Sequence, residues 1–198
     1  MAVSPRISLA DEPSRSRELD DITIARAQRG DAEACRAFVR WYEAAVFALL
    51  GRMLAPRGLD GLVEDLAQES FLRVFRALPR FDRSGPARMS TWILCIASRL
   101  AINELERRRP ALHPMPDELV DPGAGESELH RPDLRRALRH AIAALTPEQQ
   151  AVFVLREYHG LTEMEIAAAL ELDASAVKSR LFRARARLRA ALTEVERG

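Results

Sequence analysis

The stretch LTEMEIAAALELDASAVKSRLFRARARLRAAL, residues 161–192, decides the fold of this chain. Its two apolar runs each follow the 3.6-residue period of an α-helix, and the stretch D-A-S between them, residues 173–175, is expected to form a short turn. Thr162 and Glu165 have the pattern of a capping box, which places the start of the first helix at Thr162. A short helix, a brief turn and a longer basic helix together predict a helix-turn-helix.

The second of these helices has two unlike faces. On a helical wheel, an apolar seam lies within about 60° of Val177. The other members of this seam are Leu181, Ala184, Leu188 and Leu192. The opposite face and its flanks are small, polar and cationic. The whole chain has a formal net charge of only +1, yet the segment from Ser175 to Arg189 holds six bases and no acid.

We expect this polar face to contact DNA, because guanidinium groups fit guanine edges and phosphates, and small side chains allow close approach to the bases. The second helix of such a unit enters the major groove with its N-terminus first. The residues expected to contact DNA are Ser175, Lys178, Ser179, Arg180, Phe182, Arg183 and Arg185. The alternative is that the arginines form only a solvated face.

The composition favours helices throughout the chain. Of the 198 residues, 47% are hydrophobic and only 6% are aromatic, while Ala, Leu and Arg recur along the sequence. No strand pattern is present, so the expected fold class is all-α. The near-neutral net charge excludes a uniformly cationic coat, and any surface for nucleic acid must therefore be local.

Two small helical domains are predicted on either side of an acidic linker. Residues 1–20 are expected to be a disordered tail, and residues 21–109 form the first domain. Residues 110–132 hold five of the eleven prolines and five acids against one base, for a net charge of −4. Such a segment is extended and self-repelling. Residues 133–198 form the second domain.

Local signals mark the ends of the helices. Asp21 and Asp31 are expected to cap the first two helices, and a fourth helix is expected to open at Ser90 or Thr91. The third helix covers roughly residues 61–78 and stops at a proline. In the second domain, the pattern T-P-E-Q is a further capping box with proline at the first helical position.

Nothing in the sequence points to catalysis, a metal or a cofactor. Cys35 and Cys95 lie far apart, without a C-x-x-C pattern or a histidine at zinc spacing, so each is expected to be a buried free thiol. Neither a Ser/His/Asp arrangement nor a phosphate-binding loop is visible. The N-terminus lacks the apolar core of a signal peptide, and no run approaches the roughly 18 apolar residues of a membrane span. We expect a non-enzymatic protein of the cytoplasm, not inserted in a membrane.

Three longer stretches carry a family resemblance. LTPEQQAVFVLREYHGLTEMEIAAALELDASAVKSRLFRARARLRAAL, residues 145–192, resembles the promoter-binding C-terminal domain of a bacterial extracytoplasmic-function (ECF) sigma factor, in the sigma-70 family. DLAQESFLRVFRALPRF (residues 65–81) and STWILCIASRLAINELERRR (residues 90–109) resemble the other half, which binds core RNA polymerase and opens the −10 element. The resemblance implies a protein that directs polymerase to promoters by recognising −35 and −10 elements, and that promotes promoter opening.

The resemblance also implies a docking helix for polymerase. In the family, the D-L-x-Q-E-x-F helix docks on the clamp helices of the largest polymerase subunit. One flank of this helix combines acids with an exposed leucine, which is unusual for a solvent face and suited to docking. The residues of this flank are Asp65, Gln68, Glu69, Leu72 and Arg76. The alternative is an ordinary solvated amphipathic helix.

By the same resemblance, the fourth helix opens DNA. Trp92, Arg99 and Asn103 recur at i, i+7 and i+11. An aromatic ring can stack on an unpaired base, a guanidinium can hold phosphate, and an amide can read a base edge. Arg107 and Arg108 are expected to contact phosphate. In the family, the loop before this helix captures a flipped base. The alternative for Trp92 is a role in core packing.

Several residues depart from the family pattern. Family members often carry Asn at the position of Arg99 and Asp at that of Asn103. The turn before the DNA-reading helix usually contains glycine, and here it reads Glu171-Leu172-Asp173. These differences concern the −10 preference and the turn geometry, and they leave the polymerase-docking motif untouched.

The resemblance names further partners. In the family, the linker runs through the RNA exit path, which suits an acidic segment, although it could equally be a simple tether. An ECF sigma factor is commonly held inactive by a cognate anti-sigma factor. The expected partners are therefore core RNA polymerase, promoter DNA and an anti-sigma factor, with no cofactor.

Two other classes of protein stay open at this point. A free-standing helix-turn-helix repressor or response-regulator output domain would bind DNA without polymerase, but it would leave the docking helix around residues 65–75 unexplained. A sigma-like decoy would bind polymerase and give no transcript. The intact arginines of the second helix argue against a decoy.

Overall fold

The structure is a computed structural model that describes residues 18–85, 87–108 and 132–197. Its helices are α1 (Asp21–Gln28), α2 (Ala32–Leu54), α3 (Val63–Ala77), α4 (Met89–Arg107), α5 (Pro132–Ala143), α6 (Pro147–Glu157), α7 (Glu163–Leu170) and α8 (Ala174–Arg197). These ranges contain no strand, which confirms the predicted all-α fold. The tail predicted for residues 1–20 and the linker predicted for residues 110–132 lie, but for Glu18–Asp20 and Pro132, outside the described residues.

The first domain is built around α2. Apolar residues recur along this helix every three or four positions, so one stripe faces inward, and Phe38, Val46 and Leu50 are completely buried. Helices α1, α3 and α4 pack against it. The ring of Phe38 lies 5.6 Å from that of Phe75 on α3, which ties the predicted docking helix to the core.

The first two helices are each capped at the N-terminus by an aspartate carboxylate. Asp20, and not the predicted Asp21, caps α1, because its side chain accepts a hydrogen bond from the backbone N–H of Thr23 at 2.8 Å. Asp31 caps α2 as predicted, accepting from the N–H of Ala34 at 2.9 Å. Each bond satisfies one of the donors that a helix leaves open in its first turn.

Helix α4 begins at Met89 and takes its cap from a distant residue. Arg88 stands at the N-cap position without a side-chain cap. The carboxylate of Glu18 instead accepts from the N–H of Ser90 at 3.2 Å and from the Ser90 hydroxyl. Glu18 also accepts from the hydroxyl of Tyr42 at 3.0 Å. The residues just before α1 therefore help to fix the start of α4.

The second domain contains both predicted capping boxes. Thr146 accepts from the N–H of Gln149 at 3.3 Å, and the Gln149 side chain accepts from the N–H of Thr146 at 3.1 Å. Thr162 and Glu165 make the same reciprocal pair at the start of α7. Helix α8 packs on α5, α6 and α7, and so closes the domain.

The two domains contact each other directly. Helix α4 of the first domain packs on α6 and α7, and α2 packs on α6. The buried apolar core runs on from residues such as Leu94 in α4 to Leu155 in α6 without a break. In the described part of the chain, no helix is long and apolar enough to cross a membrane.

Candidate nucleic-acid and polymerase interfaces

The turn before α8 is held in an uncommon conformation. Glu171 ends α7 with φ 55° and ψ 44°, a left-handed geometry in which glycine is normally favoured. Asp173 then accepts from the N–H of Ala176 at 2.7 Å and from the hydroxyl of Ser175 at 2.6 Å. These bonds, that from the Ser175 hydroxyl first, lower the pKa of the Asp173 carboxyl. The carboxylate thus fixes the first turn of α8.

Helix α8 has the two faces that its sequence predicts. Val177, Leu181, Ala184 and Leu188 are buried in the domain core, whereas Leu192, the last predicted member of the seam, is half-buried. The residues predicted to contact DNA lie on the outside, where Ser179 and Arg180 are half-buried and the others are exposed. Phe182 is 69% exposed, which is unusual for a phenylalanine in a folded domain. The outer face therefore combines cations with one exposed aromatic ring.

Acids from neighbouring helices reach two of the bases on α8. Arg185 pairs with Glu157 of α6 at 2.6 Å, and Lys178 lies 3.9 Å from Glu163 of α7. A groove of about 320 Å³ lies between the start of α6 and α8. Its lining residues are Thr146, Glu148, Gln149, Ala176, Ser179, Arg180 and Arg183. The basic run itself contains no acid, and the sequence does not reveal that Glu157 and Glu163 on other helices lie close to it.

The predicted polymerase-docking flank of α3 lies on the surface. Ala67, Phe71 and Val74 turn inward and are buried. Asp65, Gln68 and Arg76 are exposed, Glu69 is half-buried, and Leu72 is 46% exposed. Glu69 also pairs with Arg73 one turn further on, at 2.6 Å. An exposed leucine among charged groups is thus present in the folded protein, as the pattern requires.

Helix α4 presents its predicted DNA-opening residues in different surroundings. Trp92 is half-buried, with its ring 4.8 Å from that of Phe81 in the preceding loop. Asn103 and Arg107 are exposed. Arg99 turns toward the second domain, where it donates to the backbone oxygen of Ala169 at 3.0 Å. The regular spacing in sequence therefore does not give these side chains equal access to solvent.

The two basic residues at the end of α4 share one acid. Arg107 pairs with the carboxylate of Glu104 at 2.8 Å, and Arg108 pairs with the same carboxylate. Although burial raises the pKa of Glu104, the hydrogen bonds from Arg108 and Arg107 lower it below its ordinary value. The acid neutralises part of the positive charge at this end of the helix.

Comparisons with known proteins give matches for both halves of the chain. A family described as Sigma-70 region 2 matches residues 38–110, and one described as Sigma-70, region 4 matches residues 135–188. The chain is 32% identical over 178 residues to the ECF RNA polymerase sigma-E factor of Salmonella typhimurium strain LT2, an alignment that covers 84% of this chain and 90% of that protein. The chain belongs to the ECF family of RNA polymerase sigma factors. Members of this family direct RNA polymerase to promoters.

Other relatives of this ECF sigma factor are similar over most of its length. It is 29% identical to the RNA polymerase sigma-H factor of Pseudomonas aeruginosa, over 86% of this chain and 92% of that protein. CnrH, solved in complex with the cytosolic domain of CnrY, has a TM-score of 0.63 at 25% identity, over 87% of this chain and 96% of that one. The sigma factor RpoE of Bartonella quintana, solved with the anti-sigma factor NepR, shares the fold, with a TM-score of 0.61 at 18% identity over 80% of this chain and 98% of that one.

In this ECF sigma factor, a set of contacts between the domains is not apparent from the sequence. Gln150 is completely buried, and its side-chain amide donates to the backbone oxygens of Arg52 and Met53, both at 2.9 Å. Its side-chain oxygen accepts from Arg57. The one available signal was a glutamine at an inward position of an apolar helix, because a buried amide needs partners. Nothing marks Arg57 as its partner.

The two thiols of the sigma factor are free, as predicted, but both are half-buried and not buried as expected. Cys95 of α4 lies at the contact between the domains, with its sulfur against the backbone oxygen of Ala169. Burial raises the pKa of the Cys95 thiol. Among the described residues, no group of three or more His, Cys, Asp and Glu side chains could hold a metal ion.

Proposed function

We propose that this ECF sigma factor binds core RNA polymerase through the exposed flank of α3, reads the −35 element with α8 and opens the −10 element with α4. The observation that carries the proposal is the division of α8 into a buried seam and an outer face of bases, small residues and Phe182. The polymerase supplies the chemistry of RNA synthesis, and the sigma factor supplies the promoter choice.

The N-terminal half of α8 is the best-placed DNA reader. Ser175, Lys178 and Arg183 are exposed on its outer face, and the cap from Asp173 fixes the first turn from which the helix enters the groove. Arg183 has the fork geometry that pairs with guanine. Arg185 is already paired with Glu157, so we assign it a phosphate contact that requires that ion pair to rearrange.

The flank of α3 fits a protein partner better than a solvated surface. Leu72 is 46% exposed between turns that carry Gln68 and Arg76. A protein interface gains most from such an apolar centre with a polar rim. We therefore assign Asp65, Gln68, Glu69, Leu72 and Arg76 to the clamp helices of the largest polymerase subunit.

On α4, we assign Trp92, Arg99, Asn103, Arg107 and Arg108 to the −10 element. Support comes from the exposure of Asn103 and Arg107 and from the tilted contact of the half-buried Trp92 ring with Phe81, which places two aromatic rings beside the loop. Two separated DNA contacts on one polymerase-bound protein add their effects through effective concentration, so that each can be small.

We further propose that the protein acts in the cytoplasm and that a cognate anti-sigma factor restrains it. Two of its structural relatives were solved in complexes: CnrH with the cytosolic domain of CnrY, and RpoE with the anti-sigma factor NepR. The division into a first domain of residues 21–109, a linker of residues 110–132 and a second domain of residues 133–198 belongs to the same proposal.

Run-off transcription tests this function. Escherichia coli core polymerase is supplied with a library of genomic upstream fragments, with and without the protein. We expect discrete transcripts only with the protein, and we expect Arg183→Ala to abolish them while Arg189→Ala, an exposed arginine further along α8, leaves them largely intact. Binding to polymerase without any transcript would instead indicate a decoy. Binding to fragments without polymerase would indicate a repressor.

A further inference from the structure

The second domain occupies a residue that the proposed −10 surface needs. The guanidinium of Arg99 donates to the backbone oxygen of Ala169 at 3.0 Å and pairs with the carboxylate of Glu171 at 2.9 Å. Ala169 lies in the last turn of α7, where carbonyl oxygens have no partner within the helix. A cation also stabilises the negative end of a helix dipole. Arg99 therefore acts as a cap for α7, supplied by the other domain.

Glu171 is unusual in both its backbone conformation and its side-chain contact. It adopts φ 55°, in a turn where a glycine would be free of strain, and its side chain is the group that reaches Arg99. A glycine at this position would relax the backbone but could not form the ion pair. The side chain that makes the contact between the domains is thus attached to a strained backbone.

A second zone of contact lies at the end of α2. The amide of Gln150 donates to the oxygens of Arg52 and Met53, which are in the last turn of α2, and its oxygen accepts from Arg57. Arg57 also donates to the backbone oxygen of Leu145. Because Gln150 is completely buried, separating the domains leaves this whole set without its protein partners.

A third zone joins the loop before α4 to the start of α7. Arg88 pairs with the carboxylate of Glu165 at 3.2 Å. Glu165 is also the closing member of the α7 capping box, so the same carboxylate serves the helix and the contact. The three zones involve polar groups on both domains, and the half-buried Cys95 thiol lies at the same contact, against the backbone oxygen of Ala169.

With its two domains packed together, the protein is too short to contact both promoter elements at the same time. The −10 and −35 elements are about 25 base pairs apart, which is about 85 Å at 3.4 Å per base pair. A compact chain of this length has a radius of gyration of about 16 Å. The 23 residues from 109 to 131 can span at most about 80 Å when extended, so separated domains can approach the required distance.

We infer that the contact between the domains is an autoinhibited state, in which α7 and DNA compete for Arg99 and the second domain must leave before the −10 element can be opened. The inference rests on the proposed function. It assigns the inhibition to this chain itself, so that it operates without a partner protein. Weakening the contact at a point remote from DNA and polymerase should therefore release activity.

The reactivity of Cys95 tests the contact itself. In a Cys35→Ala background, Cys95 is the remaining thiol, and N-ethylmaleimide labels it when the domains separate. We expect the folded parent to be labelled at least about tenfold more slowly than the urea-unfolded chain. We expect Arg57→Ala and Gln150→Ala to be labelled at least about tenfold faster than the parent, because each loses a charge-assisted hydrogen bond between the domains. Arg57→Ala leaves the core of the second domain intact and so guards against misfolding of Gln150→Ala. Arg40→Ala, on an exposed face of α2, is the matched control and should label like the parent. Labelling of the parent as fast as the unfolded chain, or no response to Arg57→Ala, would overturn the inference.

Transcription tests the inhibition. With Escherichia coli core polymerase and a promoter found by run-off, we expect Arg57→Ala to reach half-maximal transcription at a severalfold lower protein concentration than the parent, and Arg40→Ala to match the parent. Faster labelling of Arg57→Ala with unchanged transcription would show a contact that does not inhibit, and would overturn the inference while the proposed function stands. A parent that gives no transcript at any concentration overturns the proposed function, and with it the inhibitory role, while the labelling rates still report whether the domains are docked.

Discussion

Replacing Glu171 by glycine should leave the second domain more stable than replacing it by alanine. The residue has φ 55° and ψ 44°, where an L-residue with a side chain is strained by about 1–2 kcal/mol. Glycine relieves the strain but loses about 0.4–1 kcal/mol through its freer unfolded chain. Both Glu171→Gly and Glu171→Ala remove the ion pair with Arg99, so comparing them isolates the backbone. We expect the glycine variant to be more stable than the alanine variant by about 0.5–1 kcal/mol.

Hydrogen exchange measured by mass spectrometry on peptides from α7 and α8 gives the local free energy of opening. The expected difference corresponds to exchange about two- to fivefold slower in Glu171→Gly than in Glu171→Ala. Gly160→Ala is the reciprocal control, because Gly160 has φ 65° in the same domain and alanine should there be destabilising. Equal exchange in the two Glu171 variants would refute the claim that this turn is strained.

Three further results are expected. Burial, with a smaller effect of Arg52, lowers the pKa of His159 from 6.5 to about 4. The folded state therefore loses this proton at a lower pH than the unfolded state does. The resulting stability is fully present above about pH 6.5 and is lost as the pH falls toward 4, by about 2 kcal/mol at pH 5; His159→Gln should reduce the difference between urea midpoints at pH 7 and pH 5, and an unchanged difference would contradict this. Thr146→Ala should cost about 1 kcal/mol in urea unfolding, because it removes the cap from α6, whereas a change near zero would mean that the capping box contributes little. Leu72→Ala should weaken binding to core polymerase about tenfold in fluorescence anisotropy, with unchanged helix content by circular dichroism; equal affinity of this variant and wild type would remove α3 as the docking helix.

The capping motifs could be predicted because they are local. A capping box is formed by residues three apart, so the pairs Thr146–Gln149 and Thr162–Glu165 follow from spacing alone. The error at the first helix has the same origin. Two adjacent aspartates offer equivalent caps, and only packing places the start of α1 after Asp20.

An interaction surface could be predicted from the sequence when all of its residues lie on a single helix. The seam of α8 and the exposed flank of α3 follow from the 3.6-residue period, and the structure places their residues as that period requires, except that Leu192 of the seam and Glu69 of the flank are half-buried. The surroundings of Arg99 do not, because its partners Ala169 and Glu171 lie some 70 residues away. The ion pair of Arg185 with Glu157, 28 residues away on another helix, could not be predicted from the sequence either.

The sequence by itself determined the all-helical fold, the ends of several helices, the basic face of α8 and the family to which the chain belongs. These features depend on periodicity and on neighbours within one or two turns, where side-chain spacing fixes geometry. The tertiary structure alone decided that Glu18 caps α4, that Gln150 holds the end of α2, and that Arg99 faces α7. Such contacts join residues whose separation along the chain carries no information about their distance in space, and packing of the apolar core brings them together.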